Sequence, residues 1–321
     1  MGTLRAHPEH LTTGLIATPQ SSRLPQPYGD PSSLGILELV RLPPVMDLTA
    51  GSAELRLGLI DGPVEMSHPD LATENIHLVN VSPAAGIATP DNTSLIHGTF
   101  VAGILSSRRG SSAPAICPGC SLLIRPIFGE SRKGGNLFTT PGELAAAIID
   151  VVNAGARVVN LSVSLTRSSS ATDREVRDAL DYAARYGVIT IAAVGNQGQI
   201  NGSSVTRHPG VIPVVACNGQ GAVTTYSNLA ASAARTGLLA PGEDIISLGP
   251  NAGTQRLSGT SAATAIVTGA IALIWSLYPS ASPPEIKEAV TPRGNDRGRG
   301  LVPPVLDAWR AHEKLERTSG R

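Results

Sequence analysis

A chain of 321 residues and 33.0 kDa is long enough for a substantial core, in one large domain or two of the usual size of about 150 residues. With 41% hydrophobic and 16% charged residues the composition is globular, and 34 glycines with 25 prolines make it loop-rich. Lys plus Arg (25) equals Asp plus Glu (25), so no overall positive field exists to gather nucleic acid or anionic lipid, and neither is expected as a partner.

The opening stretch holds no apolar run followed by a small-residue cleavage site, and no run of about 18 apolar residues occurs, since Ala262–Leu277 is interrupted by Thr264, Thr268 and Ser276. A cytoplasmic protein is the resulting expectation. Residues 1–50 carry Pro19, Pro25, Pro27, Pro31, Pro43 and Pro44 and show little periodicity beyond Leu34–Leu42. They read as an extension wrapping the domain.

From Leu57 short apolar runs alternate with helical patterns. Strands are predicted over Leu57–Ile60, Ile76–Val79, Leu122–Phe128, Val158–Val163, Val188–Val194 and Val211–Cys217. Helices are predicted over His97–Leu105, Glu143–Asn153, Asp173–Tyr186 and Ala265–Leu277. Short β-branched runs between amphipathic helices imply right-handed crossovers and a parallel sheet covered on both faces, hence one α/β domain. In such sheets, sites form where strands end at their carboxyl side. The last residues, His312–Arg321, read as a frayed charged tail.

Three cysteines make no disulfide framework. Cys117-Pro118-Gly119-Cys120 reads as two reduced turn cysteines, a small redox loop being the alternative, and no zinc ligands stand near them. No acidic calcium-loop spacing is present, so neither a metal nor a cofactor is expected.

Four segments carry candidate chemistry. Asp61 ends the apolar strand Leu57–Ile60, where a desolvated carboxylate can orient an imidazole; Asp-Gly after a strand is also a common turn. His97 opens the small-residue segment His97-Gly98-Thr99-Phe100-Val101-Ala102-Gly103. Asn196 follows the strand ending at Val194, where its amide can donate to an oxyanion, or simply form a Gly-Asn turn. Ser261 stands in Gly259-Thr260-Ser261-Ala262-Ala263-Thr264, directly before the helix predicted from Ala265. Unpaired N–H groups in that first turn favour a developing oxyanion, although a Ser/Thr helix cap explains the same letters.

Taken together, the order Asp61, His97, Ser261 is the subtilisin order of the nucleophilic triad. The segments Asp61-Gly62 with His68-Pro69-Asp70-Leu71, His97–Gly103, Gly195-Asn196 and Gly259–Thr264 resemble the four signature stretches of the subtilisin-like serine proteases, in register from about Gly51 to Pro292. Asp61-Gly62-Pro63-Val64, Leu123–Phe128, Leu239–Glu243 and Arg256–Ser261 further resemble the cyanobactin maturation proteases, which trim ribosomally made precursor peptides.

The resemblance implies a three-layer sandwich with a mostly parallel central sheet over residues 51–310, with residues 311–321 as the charged tail. It implies a serine endopeptidase in which Ser261 attacks, His97 relays the proton, Asp61 fixes the imidazole, and Asn196 with the Ser261 N–H holds the oxyanion. The implied partner is a peptide or precursor peptide. It would add as a strand along Ser162, Val163 and Ser164, with Ala193 and Gly195 on the other side of the P1 pocket. A subtilisin-fold protein that only binds peptides is the competing reading. A nucleotide-cofactor enzyme is not supported, because no G-x-G-x-x-G or P-loop motif is present.

Four departures from the family pattern stand out. Phe100 replaces a usual second histidine. Gly62-Pro63 removes a hydroxyl that would support Asp61. Ala265 and Ile266 replace a proline and a histidine behind Ser261. Ser164-Leu165 replace edge-strand glycines, which predicts either a P1 preference for small residues or substrate positioning from elsewhere. His97 follows Asp61 by an interval of only 36 positions, leaving little room for the helical insertion of macrocyclising relatives, so hydrolysis is expected rather than transpeptidation. The basic loop Arg293–Gly300 reads as a solvated loop, or a contact for an acidic leader.

Overall fold

The computed structural model describes residues 11–13, 15–17, 31–80, 93–130, 137–165, 172–291 and 300–319. The basic loop at 293–299 lies outside them. The chain begins with strands β1 (Leu11–Thr13) and β2 (Leu15–Ala17), then helices α1 (Pro31–Glu38) and α2 (Pro43–Leu48). It continues through β3 (Arg56–Asp61), β4 (Ile76–Leu78), α3 (Thr93–Ser106), β5 (Ser121–Pro126), β6 (Gly129–Glu130), β7 (Leu137–Phe138) and α4 (Pro141–Asn153). After these come β8 (Val158–Leu161), β9 (Val163–Leu165), α5 (Thr172–Arg185), β10 (Ile189–Ala193), α6 (Ser204–Arg207), β11 (Val211–Cys217), α7 (Ala231–Thr236) and β12 (Leu238–Pro241). The hairpin β13 (Ile245–Gly249) and β14 (Gly253–Gly259) leads into α8 (Thr260–Leu277), followed by α9 (Pro283–Val290) and α10 (Ala308–Ser319).

Seven strands form the central sheet in the order β12-β11-β10-β8-β3-β5-β4, each paired parallel to its neighbour. Successive side chains on a strand point to opposite faces, and both faces here are apolar. Leu57, Leu59, Leu122, Ile124, Ile189, Ile191, Ile212 and Val214 join the cluster around α3 and α8. Ile60, Leu123, Val159, Leu161 and Ala192 join the other, with Leu144, Ile148 and Val151 of α4 and Val176 and Leu180 of α5. This is the doubly covered α/β arrangement that unbroken apolar runs require.

Helix α8 is the longest apolar helix among the described residues. It meets the length and hydropathy of a membrane span, yet it is buried in the core, with Ala262 through Trp275 shielded from solvent. Its polar Thr268 donates to buried Asn160 at 3.0 Å, so this interruption of the apolar run has a partner in the core.

Two expectations are corrected. His97 does not open its helix: α3 starts at Thr93, which sets His97 in its second turn. The expected frayed tail from His312 is instead part of α10. Its Ala308, Ala311, His312 and Leu315 form a buried stripe at helical spacing, and Tyr278 and His312 join by a 2.8 Å hydrogen bond. Cys117, Cys120 and Cys217 are free and buried, and burial pushes the Cys217 thiol up to about 12.

Outside the central sheet, β13-β14-β2 form a three-stranded sheet, and β1 pairs with β9. Both pairings of the N-terminal strands are antiparallel.

Candidate active site

The site assembles at the carboxyl edge of the central sheet, from the ends of β3, β8 and β10 and from helices α3 and α8 that close over it. Asp61 is the last residue of β3, and His97 stands on α3. Glycines allow the two backbones to meet: a Cβ on Gly98 would overlap the carbonyl oxygens of Gly62 and Pro63, and one on Gly62 would overlap that of Ser94. Thr99 adds a tie by accepting the Glu65 N–H at 2.9 Å. The glycine that follows each acidic or imidazole residue is therefore a packing requirement.

With the backbones in contact, His97 Nδ1 lies 2.5 Å from Asp61 Oδ1, and His97 Nε2 lies 3.2 Å from Ser261 Oγ. Asp61 Oδ1 also accepts the Gly62 N–H at 2.6 Å. All three side chains are buried: Asp61 and Ser261 expose 0% and His97 2% of their surface. A carboxylate that accepts from Nδ1 holds the imidazole with Nε2 free to accept a proton. Phe128 abuts the imidazole edge-on, 6.5 Å between centroids. The missing hydroxyl at Gly62 has a visible correlate, since the second Asp61 oxygen, Oδ2, is buried and has no hydrogen-bond partner among the described residues.

Ser261 occupies the first turn of α8, and its hydroxyl also points to the Ser162 carbonyl oxygen at 3.4 Å. Ser162 follows β8 and is held from below, as the Asn160 amide donates to its Oγ at 2.8 Å. Asn196 is aimed by a residue the sequence reading passed over. Its Oδ1 accepts from both the Thr260 N–H (3.0 Å) and the Thr260 hydroxyl (2.9 Å). With the oxygen so committed, the Nδ2 donor is left buried and, among the described residues, without a partner. The Gly195 N–H donates in turn to the same threonine hydroxyl at 3.3 Å. An unpaired buried donor costs about 1–3 kcal/mol, so Nδ2 is open to an acceptor such as an ordered water or a bound carbonyl oxygen. Thr260 is readable in sequence only as a helix-cap residue.

The remaining sequence candidates fall beside this group. Val163 and Ser164 lie in β9, and Ala193 ends β10, whose Ala192 pairs with Leu161, so Ala193 and Ser162 leave adjacent strand ends. Gly195 begins the turn that carries Asn196. Phe100 and Ile266, which replace histidines of the resembled pattern, are buried in the core, as is Ala265. His68 is structural: its Nδ1 accepts the Asp70 N–H, which makes Nε2 the donor to the Gly253 carbonyl at 3.0 Å. No group of three or more metal-binding side chains occurs among the described residues.

Comparison with known proteins agrees with this architecture. The Subtilase family pattern matches residues 52–301. The prenylagaramide maturation protease PagA is 30% identical in sequence, with a TM-score of 0.73 over 85% of this chain and 98% of that one. The patellamide maturation protease PatA is also 30% identical, with a TM-score of 0.68 over 83% and 98%. Fervidolysin of Fervidobacterium pennivorans is 28% identical over 81% of this chain, and the match spans 41% of fervidolysin's own length. With that match over more than half its length, on a doubly covered parallel sheet, the chain belongs to the subtilase family of serine peptidases.

Proposed function

We propose that the protein is an endopeptidase that trims a ribosomally made precursor peptide, with Ser261 as nucleophile, His97 as general base and then acid, and Asp61 as the group that orients and charges against the imidazole. The observation that carries this reading is the unbroken buried line Asp61–His97–Ser261, at 2.5 and 3.2 Å. Ser261 Oγ adds to the scissile carbonyl as its proton passes to His97 Nε2. The same proton then goes to the leaving amine. Charge on the carbonyl oxygen is met by Asn196 Nδ2 and the Ser261 N–H, at the positive end of α8.

The orphaned Asn196 donor supports this role, because an oxyanion would supply the partner it lacks. Replacing Asn196 with alanine is expected to lower kcat by roughly 10²–10³-fold, about 3 kcal/mol, with little change in KM; this is the range known for the oxyanion amide of subtilisin. Steady-state kinetics on a peptide anilide check it.

The precursor-peptide assignment draws on the names of the two relatives, both called maturation proteases. The edge at Ser162–Ser164 is the place for such a peptide to add as a strand. Hydrolysis is preferred to ring closure because of the short span between Asp61 and His97. The test is incubation with precursor peptides encoded near the gene, followed by mass spectrometry. One discrete cut after a small residue is expected. Binding without any cut would favour the peptide-binding alternative.

A further inference from the structure

Between Ala262 and Leu277 the apolar run of α8 carries three hydroxyl residues, Thr264, Thr268 and Ser276, and the middle one is held differently from the other two. Thr264 returns its hydroxyl to the Thr260 carbonyl at 2.7 Å, and Ser276 returns its own to the Ala272 carbonyl at 2.8 Å. Each is satisfied within its own helix, on the carbonyl four residues back. Thr268 instead reaches across to the sheet and donates to Asn160 Oδ1 at 3.0 Å.

The contact does not stop at Asn160. Its Nδ2 donates to Ser162 Oγ at 2.8 Å, and the Ser162 carbonyl accepts the Ser261 hydroxyl at 3.4 Å. Ser261 and Thr268 stand about two turns apart on α8, so both face the sheet, while Asn160 and Ser162 are alternate residues at the end of β8, so both face the helix. The two periodicities lay one polar line, Thr268–Asn160–Ser162–Ser261, between α8 and β8. All four residues expose 0% of their surface. At the end of this line the Ser261 hydroxyl has one proton and two acceptors, the Ser162 carbonyl at 3.4 Å and His97 Nε2 at 3.2 Å. Only transfer to His97 starts the reaction.

We propose that Thr268 and Asn160 are positioning residues for the peptidase reaction: they hold Ser162, and through it the Ser261 hydroxyl, in line with His97 Nε2. The inference rests on Ser261 being the nucleophile. Ser162 lies where the chain passes from β8 to β9 and belongs to neither strand, so its side-chain bond to Asn160 contributes to fixing its place. Asn160 can supply that bond because its amide is held at both ends, by the Thr268 hydroxyl on the oxygen and by Ser162 on the nitrogen. Without the Thr268 hydroxyl, Oδ1 is left buried with no donor, the amide turns to seek one, and the hold on Ser162 loosens. A displaced Ser162 carbonyl then changes where the Ser261 proton points. Neither Thr268 nor Asn160 touches the reacting atoms, so both act on the nucleophile through Ser162, and the loss belongs in kcat rather than in KM.

The test separates the hydroxyl of Thr268 from its methyl group. Thr268→Ser keeps the hydroxyl, Thr268→Val keeps the branched shape without it, and Thr268→Ala has neither. Wild type and the three full-length variants are assayed for kcat and KM on a peptide anilide, for the rate of labelling by a small fluorophosphonate, and for folding by thermal denaturation. The expected result is a kcat that sorts by the hydroxyl: Thr268→Ser stays within about 3-fold of wild type, while Thr268→Val and Thr268→Ala fall by about 10-fold or more, with KM changed by less than about 2-fold. Labelling slows in the same proportion, although the reagent needs no peptide strand along β9. A packing role for Thr268 gives the opposite order, with valine like wild type and serine impaired. A kcat that fails to sort by the hydroxyl, or a loss that falls in KM with labelling unchanged, overturns the inference while leaving the peptidase reading in place. Should Thr268→Val fail to fold, Thr268→Ser and Thr268→Ala, which differ by one oxygen, make the same decision. A folded wild type that neither hydrolyses the anilide nor labels removes the peptidase reading and this inference with it.

Discussion

Replacement of Ser261 by alanine is expected to lower kcat on a peptide substrate by about 10⁶-fold, with the folded protein retained. Ser261 is wholly buried in the first turn of α8, between Thr260 and Ala262. Alanine keeps the helix, and only the hydroxyl is lost. Among the described residues that hydroxyl meets His97 and the Ser162 carbonyl and no other group. Stability, followed by thermal denaturation, should therefore change by no more than about 1 kcal/mol. The His97→Ala variant should lose nearly as much activity, and the double variant no more than either single one, because nucleophile and base act as a unit. Additive losses in stopped-assay kinetics would indicate that the two side chains work independently.

Asp61→Asn is expected to cost about 10⁴-fold in kcat. A single carboxylate oxygen of Asp61 serves both the Gly62 N–H and His97 Nδ1. An asparagine has two placements and neither replaces it. With its oxygen toward His97, the tautomer survives but the negative charge that stabilises the imidazolium is gone. With its nitrogen there, a donor faces the Gly62 N–H and favours the imidazole tautomer whose Nε2 cannot accept the Ser261 proton. The first placement also buries an amide N–H₂ where Oδ2 now lies unpartnered, at about 1–3 kcal/mol. Kinetics at saturating substrate, beside a circular dichroism spectrum that matches wild type, check this. A loss under about 10-fold would show that the carboxylate is a packing residue only.

Much of the site was legible because its residues stand at the boundaries of strongly patterned elements. Asp61 closes an apolar strand, Asn196 follows another, and Ser261 stands in the first turn of a long apolar helix. The parallel sheet was legible for the same reason, since runs such as Val211–Cys217, buried at every position, allow little else. His97 was misplaced within its helix because the helix starts at Thr93, just after the cap candidates Asp91 and Asn92, whereas the small-residue run that suggested a helix begins only at His97. The hairpin β13–β14 was missed because Thr254, Gln255 and Arg256 dilute the alternation in β14. Helix α10 was hidden by its charges: only four residues at helical spacing carry its buried stripe. Thr260 could not be distinguished from a cap residue, because its clamp on Asn196 joins positions 64 residues apart. The pairing of β1 with β9 and of β2 with β14 is equally non-local, and three-residue strands carry no readable period.

The central claim is that the buried line from Asp61 to Ser261 makes one hydroxyl nucleophilic. Its most direct measurement is covalent labelling of the full chain with a fluorophosphonate, read by peptide mass spectrometry on preparations whose intact mass is already known. The account predicts one phosphonyl group per active molecule, on Ser261, formed at least about 10³-fold more slowly in Asp61→Asn and absent in His97→Ala. Folded wild-type protein that carries no adduct, or that carries it on another residue, would contradict the account.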